Sequence, residues 1–283
     1  MSKFIYSGFA DEISKDLKEQ IKCLKELSME YLELRGVDGV NVADFSDEMI
    51  ENIKRELSEN GIKVSSIGSP IGKYDINEDL EIQIEKVKRI IEIAHKFDTK
   101  YIRIFSYFMK PDEWDTYRDE VIRRLSEFVK LAEAENVIML HENEKDIFGE
   151  NAENCKYIFD NIKSPNLKGV FDPANFVQCG VDTKKAFETL REDIVYMHIK
   201  DSQADGTVVP AGAGLGNIPY ILSELNKSDY EGFVSLEPHL GAFEGLAGLE
   251  KGEIKIKDSS EAGKFKLAHA KLKEIINSLQ EEK

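Results

Sequence analysis

At 283 residues the chain is long enough to bury a full core as one large α/β domain. Its 54 acidic against 38 basic side chains leave a net charge of -16, which repels a phosphate backbone and excludes a basic nucleic-acid footprint. No run approaches the roughly 20 apolar residues of a membrane span, and the start MSKFIYSGFADE lacks a signal-peptide pattern. Three cysteines without a CxxC pair (Cys23, Cys155, Cys179) point to neither a disulfide framework nor a thiolate zinc site, so a cytoplasmic protein is expected.

In chain order, short β-branched or aromatic runs alternate with longer stretches whose apolar residues recur every three or four positions. A strand is expected at 3–9 (KFIYSGF), then a helical stripe of Ile13, Leu17, Ile21 and Leu24. Strands follow at 30–36 (EYLELRG) and 62–68 (IKVSSIG), then a stripe of Val87, Ile90, Ile91 and Ala94. Next come a strand at 100–106 (KYIRIFS), the stripe Val121, Leu125, Phe128 and Ala132, and strands at 136–142, 168–172, 194–200 and 232–237. A final stripe carries Phe265, Ala268, Leu272, Ile275 and Leu279. Each stripe gives one apolar helix face, and the Lys and Glu positions between them read as solvated. Strand and helix alternating eight times call for parallel strands with right-handed crossovers, closed as a single (β/α)8 TIM barrel over residues 1–283. An open doubly wound sheet is the competing fold, but GFADEIS stands where a GxGxxG would follow the first strand. The long connection 238–260 after the eighth strand is expected either to close over the barrel mouth as a lid or to make a subunit contact in a homo-oligomer.

In such a barrel, chemistry belongs where the strands end. The segment VIMLHENEKDIFG follows four apolar strand residues with His141, Glu142, Asn143 and Glu144, groups that cost several kcal/mol each to bury without partners, on the order of 2 to 7 even when uncharged. Strand six closes on Asp172 (VFDPANF), strand seven on His198 (VYMHIKD) and strand eight on Glu237 (VSLEPHL). Alternation places Glu142 with Ile138 and Leu140, Asp172 with Val170, His198 with Tyr196, and Glu237 with Ser235, so all four polar groups can face inward. Three carboxylates repel one another when held together, and a divalent cation relieves that repulsion. Oxygen donors with one imidazole suit a single Mn2+, Mg2+ or Co2+ ion, with Zn2+ also admissible. Taken singly, each of these residues is as readily a helix cap, a turn residue or a satisfied core group. Four consecutive strands ending alike carry the argument.

These motifs, LHEN, FDPAN, HIKD followed by PAGAGLGNIPYIL, and GFVSLEP, resemble the xylose isomerase-like TIM barrels, which include sugar-phosphate isomerases and epimerases, ketose 3-epimerases, inosose dehydratases and the endonuclease IV type of apurinic endonuclease. The resemblance is specific over about 137–240 and covers the first half only in its βα rhythm. It implies metal ligation by Glu142, Asp172, His198 and Glu237, and catalysis by Glu142 and Glu237, one removing a carbon-bound proton and the other returning one through a metal-stabilised enediolate. The implied function is a sugar or sugar-phosphate isomerase or epimerase of carbohydrate metabolism. An inosose dehydratase-like lyase, an endonuclease IV-like repair enzyme and a non-catalytic sugar-binding barrel are the alternatives.

The departures narrow this set. Asn175 stands where the family often has His, and Phe148 and Ala204 stand where ketose 3-epimerases carry a second Glu and an Arg. SIGSP, RIFSY and PAGAG lack the extra histidines of a three-metal nuclease, and the negative charge opposes a duplex. Asn175, Lys200, Arg103 and His239 are the candidate substrate contacts. Lys200 shares parity with His198, with an ion pair to Asp201 or another neighbour as its structural alternative. Arg103, like Glu33 and Arg35, either meets an anionic group or braces the carboxylates. His141 has the opposite parity and is expected against a helix, Trp114 is expected to pack a helix start rather than stack on a sugar, and SPIG at 69–72 is the nearest thing to a phosphate cradle.

Overall fold

The computed structural model describes residues 3–240 and 260–281. Eight parallel strands form the barrel: β1 (Lys3–Gly8), β2 (Tyr31–Leu34), β3 (Lys63–Ile67), β4 (Tyr101–Ile104), β5 (Ile138–Glu142), β6 (Leu167–Phe171), β7 (Ile194–Ile199) and β8 (Glu231–Leu236). All eight lie where the alternation placed them. They pair in the order β1-β8-β7-β6-β5-β4-β3-β2, and the ring is completed by a single parallel bridge between Phe9 and Glu33. The expected (β/α)8 barrel is therefore the fold, with its seam between β1 and β2.

Nine helices follow the strands among the described residues: α1 (Leu17–Glu26), α2 (Asp47–Glu59), α3 (Leu80–Lys96), α4 (Trp114–Ala134), α5 (Ala152–Asn161), α6 (Pro173–Gln178), α7 (Thr183–Leu190), α8 (Ile218–Lys227) and α9 (Glu261–Glu281). Their starts are written in the sequence. Asp16, Ser46, Asp79, Asn151, Asp172 and Asp182 each turn a side-chain oxygen back onto an amide of the first turn. The helix ends repeat one device. Ser28, Asp98, Asn136 and Asp229 take left-handed φ of 56°, 55°, 55° and 54°, and the next amide reaches back to Leu24, Ala94, Ala132 and Leu225 respectively. Short polar side chains tolerate that conformation, and the chain turns directly into β2, β4, β5 and β8.

Two cores result. The larger lies between barrel and helices and buries the predicted stripes, including Leu24, Val87, Ile90, Leu125, Phe128, Phe265 and Leu272, while Ile275 is only half-buried. The smaller fills the barrel itself, where Leu140, Val170 and Tyr196 pack with Tyr101, Ile138 and Phe233. Below the strand ends, then, the interior is plugged with side chains, and the polar residues of the same inward face emerge above it. Among the described residues no helix is long and apolar enough to cross a membrane. Of the 238–260 connection, 241–259 lie outside the described residues.

The PAGAGLG segment after β7 is organised by one carboxylate. Asp201 accepts the amides of Ser202, Gly212, Gly214 and Gly216 at 2.9, 2.9, 3.0 and 2.8 Å. A Cβ at Gly214 or Gly216 would collide with that carboxylate, so glycine is required for the close approach. Of the structural alternatives for Lys200, the ion pair with Asp201 is not formed, because Asp201 is spent on the loop, and the lysine pairs with Asp172 and Glu237 instead. Asp201→Asn puts an amide donor among these donors and is expected to cost on the order of 3 kcal/mol in urea denaturation, with hydrogen exchange rising first at residues 210–217.

Candidate metal centre at the barrel mouth

Glu142 ends β5, Asp172 follows β6, His198 is the penultimate residue of β7 and Glu237 follows β8. All four are buried, and each offers one ligand atom within 4.8 Å of the others. His198 Nδ1 lies 3.1 Å from Glu142 Oε1, 3.3 Å from Glu237 Oε2 and 4.0 Å from Asp172 Oδ2. Donors around an ion at about 2.1 Å stand roughly 3 to 4.2 Å apart, so the spacing suits a divalent cation. Glu142 Oε2 and Asp172 Oδ2 are buried without a well-directed hydrogen bond, which leaves ligand positions for that ion. The donor set and its spacing both fit the cation expected from the strand ends.

Asp172 does two jobs because its two oxygens are divided. Oδ1 accepts the Asn175 amide at 3.0 Å and caps α6, while Oδ2 faces Lys200 Nζ at 2.8 Å. Asn143 clamps the Asp172 backbone from both sides, donating to its carbonyl and accepting from its amide, each at 2.9 Å. Asn175 itself donates to Glu142 Oε1 at 3.2 Å and to the Asn143 carbonyl at 2.9 Å. The residue that stands in place of histidine thus ties two of the ligands together.

The remaining positive groups are counterions. Lys200 also stands 3.3 Å from Glu237. Arg103 Nη1 lies 3.3 Å from Glu142 Oε2, and its Nη2 donates to the carbonyls of Gly68 and Ser69, so its donors brace the site. Arg35 bridges Asp11 (2.8 Å), Glu12 (3.2 Å) and Glu237 (3.3 Å). His239, half-exposed with a left-handed φ of 44°, places Nε2 2.9 Å from Glu12 and 3.2 Å from Glu237. Glu12, Glu237 and His239 also approach one another closely enough for a cation, but the Arg35 guanidinium already occupies that neighbourhood.

Protonation follows from this packing. Burial pushes Glu142 up, yet His198 and Arg103 outweigh it and hold the carboxyl down at about 2. Burial likewise opposes ionisation of Glu237, which Lys200 and the hydrogen bonds from His198 and His239 keep well below the usual carboxylate range. Burial takes Asp172 up to about 7 despite Lys200. Burial would lower His198, but Glu142 and Glu33 hold its imidazole well above the ordinary value.

Other expectations fall as follows. His141 packs its ring edge-on against Phe159 of α5 and shares a hydrogen bond of 2.9 Å with Ser106, and burial lowers its pKa to about 4. Trp114 is the first residue of α4, packed on the main core. SPIG folds onto the end of β4: the Ser69 hydroxyl donates to the Arg103 carbonyl, and Gly72 (φ 88°) lies against the Phe105 backbone. Asp11 and Glu12, in the turn after β1, also belong to the mouth; they lie beyond Gly8, the last residue of that strand, so a rule that takes the residue closing each strand does not reach them. Asn143 sits beside a ligand and carries its own signal in LHEN.

Comparison with known proteins places this geometry. Residues 21–254 match the xylose isomerase-like TIM barrel. No curated protein matches the chain. A D-tagatose 3-epimerase-like protein superposes with a TM-score of 0.74 at 19% identity, covering 99% of each chain. A probable 3-DHS dehydratase involved in petrobactin synthesis from Bacillus anthracis gives 0.73 at 20% identity, over 98% of this chain and 99% of that one. A xylose isomerase-like TIM barrel protein from Mycobacterium smegmatis in complex with magnesium gives 0.69 at 15%, over 99% and 98%. At these identities the likeness carries the fold, and the sequence match carries the family: this chain belongs to the xylose isomerase-like TIM barrels.

Proposed function

We propose that the chain is a divalent-cation-dependent isomerase or epimerase that moves a proton at a carbon next to a carbonyl of a sugar, polyol or sugar phosphate. The observation that carries this reading is the convergence of Glu142, Asp172, His198 and Glu237 on one mouth, each offering a ligand atom within 4.8 Å of the others. The epimerase-like and dehydratase structures among the relatives support a reaction at carbon next to a carbonyl, the magnesium complex supports Mg2+, and the oxygen-rich donor set also suits Mn2+ or Co2+. When bound, the cation would draw charge from substrate oxygens and favour the anion formed as a C–H bond breaks.

The chain's own residues supply the rest. Glu142 and Glu237 are both held ionised, as a group must be to accept a proton from carbon. They come from β5 and β8, which are separated in the ring by β6 and β7. A substrate between them meets one carboxylate on each side, the arrangement that inversion needs. Arg103 fixes Glu142 and Arg35 fixes Glu237, so neither base swings away. Lys200, buried between Asp172 and Glu237, can turn its ammonium to a substrate hydroxyl or oxyanion. A dehydratase would use the same base and expel a hydroxyl, with Lys200 the nearest acid.

In deuterium oxide with Mn2+, a panel of ketoses, cyclitols and their phosphates is expected to show deuterium entering the carbon next to the carbonyl of one substrate; no incorporation in any of them sinks the proposal, and loss of water with an enone or diketone product assigns the lyase instead. Glu142→Gln and Glu237→Gln are each expected to lower kcat by roughly 100- to 10,000-fold.

Mn2+ or Mg2+ is expected to raise the melting temperature, with about 2.7 kcal/mol of stabilisation at 100 times the dissociation constant, and Asp172→Asn is expected to abolish most of that shift. Lys200→Met removes a buried partner of Asp172 and is expected to cost about 3 kcal/mol without divalent ions, part of which added Mn2+ restores. An equal loss with and without Mn2+, measured by denaturant titration, contradicts that exchange.

A further inference from the structure

Glu33, on β2, is buried inside the barrel and has no arginine or lysine partner within 4.0 Å among the described residues; its only ionisable base is His198, whose Nε2 stands 3.3 Å from Glu33 Oε2. A register shift between Leu32 and Glu33 in the β2–β3 pairing re-aims this side chain. Two hydroxyls then converge on it, and a third backs one of them. Ser235 Oγ donates to Oε2 at 2.6 Å and the Tyr196 hydroxyl at 3.0 Å, and the Tyr196 hydroxyl shares a further hydrogen bond of 2.9 Å with Ser65. A barrel interior is ordinarily filled with apolar layers. A carboxylate sustained there by hydroxyls from two other strands is expensive unless it serves something.

The His198 ring shows what it serves. Phe9 and Tyr196 meet it edge-on at 5.2 and 6.0 Å and fix its plane. In that plane Nδ1 faces Glu142, Glu237 and Asp172, while Nε2 faces Glu33. His198 Nε2 is buried 3.3 Å from Glu33 Oε2 with no other partner, and Glu33 Oε1 is likewise buried without a hydrogen bond. An imidazole presents a lone pair to a cation from one nitrogen only, and the proton on the other is placed by whatever accepts it.

We infer that Glu33 is the positioning residue of the cation site: it holds His198 as the Nε2–H tautomer so that Nδ1 is the ligating nitrogen, and it thereby sets the tightness of divalent-ion binding. The inference rests on the cation reading of Glu142, Asp172, His198 and Glu237 and extends it to a residue that touches neither ion nor substrate.

The test uses the full chain, with Mn2+ affinity by calorimetry and the His198 tautomer by nitrogen-15 histidine NMR of the Mg2+-loaded protein. The wild type is expected to show Nε2–H. Glu33→Gln is expected to bind Mn2+ about 10- to 100-fold more weakly and to lose the single tautomer. Should Glu33→Gln fail to fold by circular dichroism, Tyr196→Phe, which removes one hydroxyl from the Glu33 carboxylate, decides: a drop of roughly fivefold is expected. Unchanged Mn2+ affinity in the folded variant, or an Nδ1–H tautomer in the wild type, overturns the role of Glu33 alone. Failure of the wild type to bind Mn2+ overturns the cation reading, and this inference with it.

Discussion

Four carboxylates, Glu33, Glu142, Asp172 and Glu237, surround one imidazole where almost no water reaches, and the negative charge this concentrates is the constraint that the barrel mouth is built to meet. Two such charges 4 Å apart repel by about 4 kcal/mol at the effective dielectric of a protein. The mouth therefore draws its counterions from all round the ring: Arg35 after β2, Arg103 on β4, Lys200 after β7 and His239 after β8. The same logic extends outward, since Asp11 and Glu12 beyond β1 balance Arg35 in turn. Removing any one group leaves another buried and uncompensated, which is why these residues act together.

The barrel accommodates this by separating its tasks along the strands. Apolar burial between strands and helices carries the stability, and the aromatic plug of Tyr101, Tyr196 and Phe233 closes the lower interior, with ring centroids 5.4 Å apart for Tyr196 and Phe233. Between plug and mouth runs a polar thread: Ser7 meets Ser65 at 2.6 Å, Ser65 meets Tyr196, and Tyr196 reaches Glu33. Tyr196 belongs to both layers, its ring in the plug and its hydroxyl on the thread. One side chain thus couples the packing of the interior to the orientation of His198 above it.

Much of this was legible in the residues themselves. Period-2 alternation identifies each strand and also fixes which residues share its inward face, so Ile138, Leu140 and Glu142 could be grouped before their surroundings were known. The candidate ligands follow from the same parity because each lies on or just beyond its strand. What stayed hidden depends on neighbours far away in sequence. The seam between β1 and β2, the shift at Leu32 and Glu33, and the convergence of Ser235 and Tyr196 on Glu33 are matters of register between strands, and local pattern carries no information about register. Lys200 shows the limit from the other side: its parity was right, but the competing partner Asp201, adjacent in sequence, is held by four loop amides and leaves Asp172 to receive the ammonium.

Asp172 also explains why a cation would find the site already shaped. Its Oδ1 is committed to the start of α6 and its backbone to Asn143, so the direction of Oδ2 does not depend on whether Lys200 or a metal ion faces it. A bound ion would then exchange one positive charge for another at fixed oxygens, and Lys200 would be free to turn toward a substrate. On the proposed reading the energy of arranging these ligands is met by the hydrogen bonds of the fold, which would leave an ion's affinity available for chemistry. On the same reading, discrimination among substrates would fall to groups able to move on binding, and Lys200, buried between Asp172 and Glu237, is placed to do so.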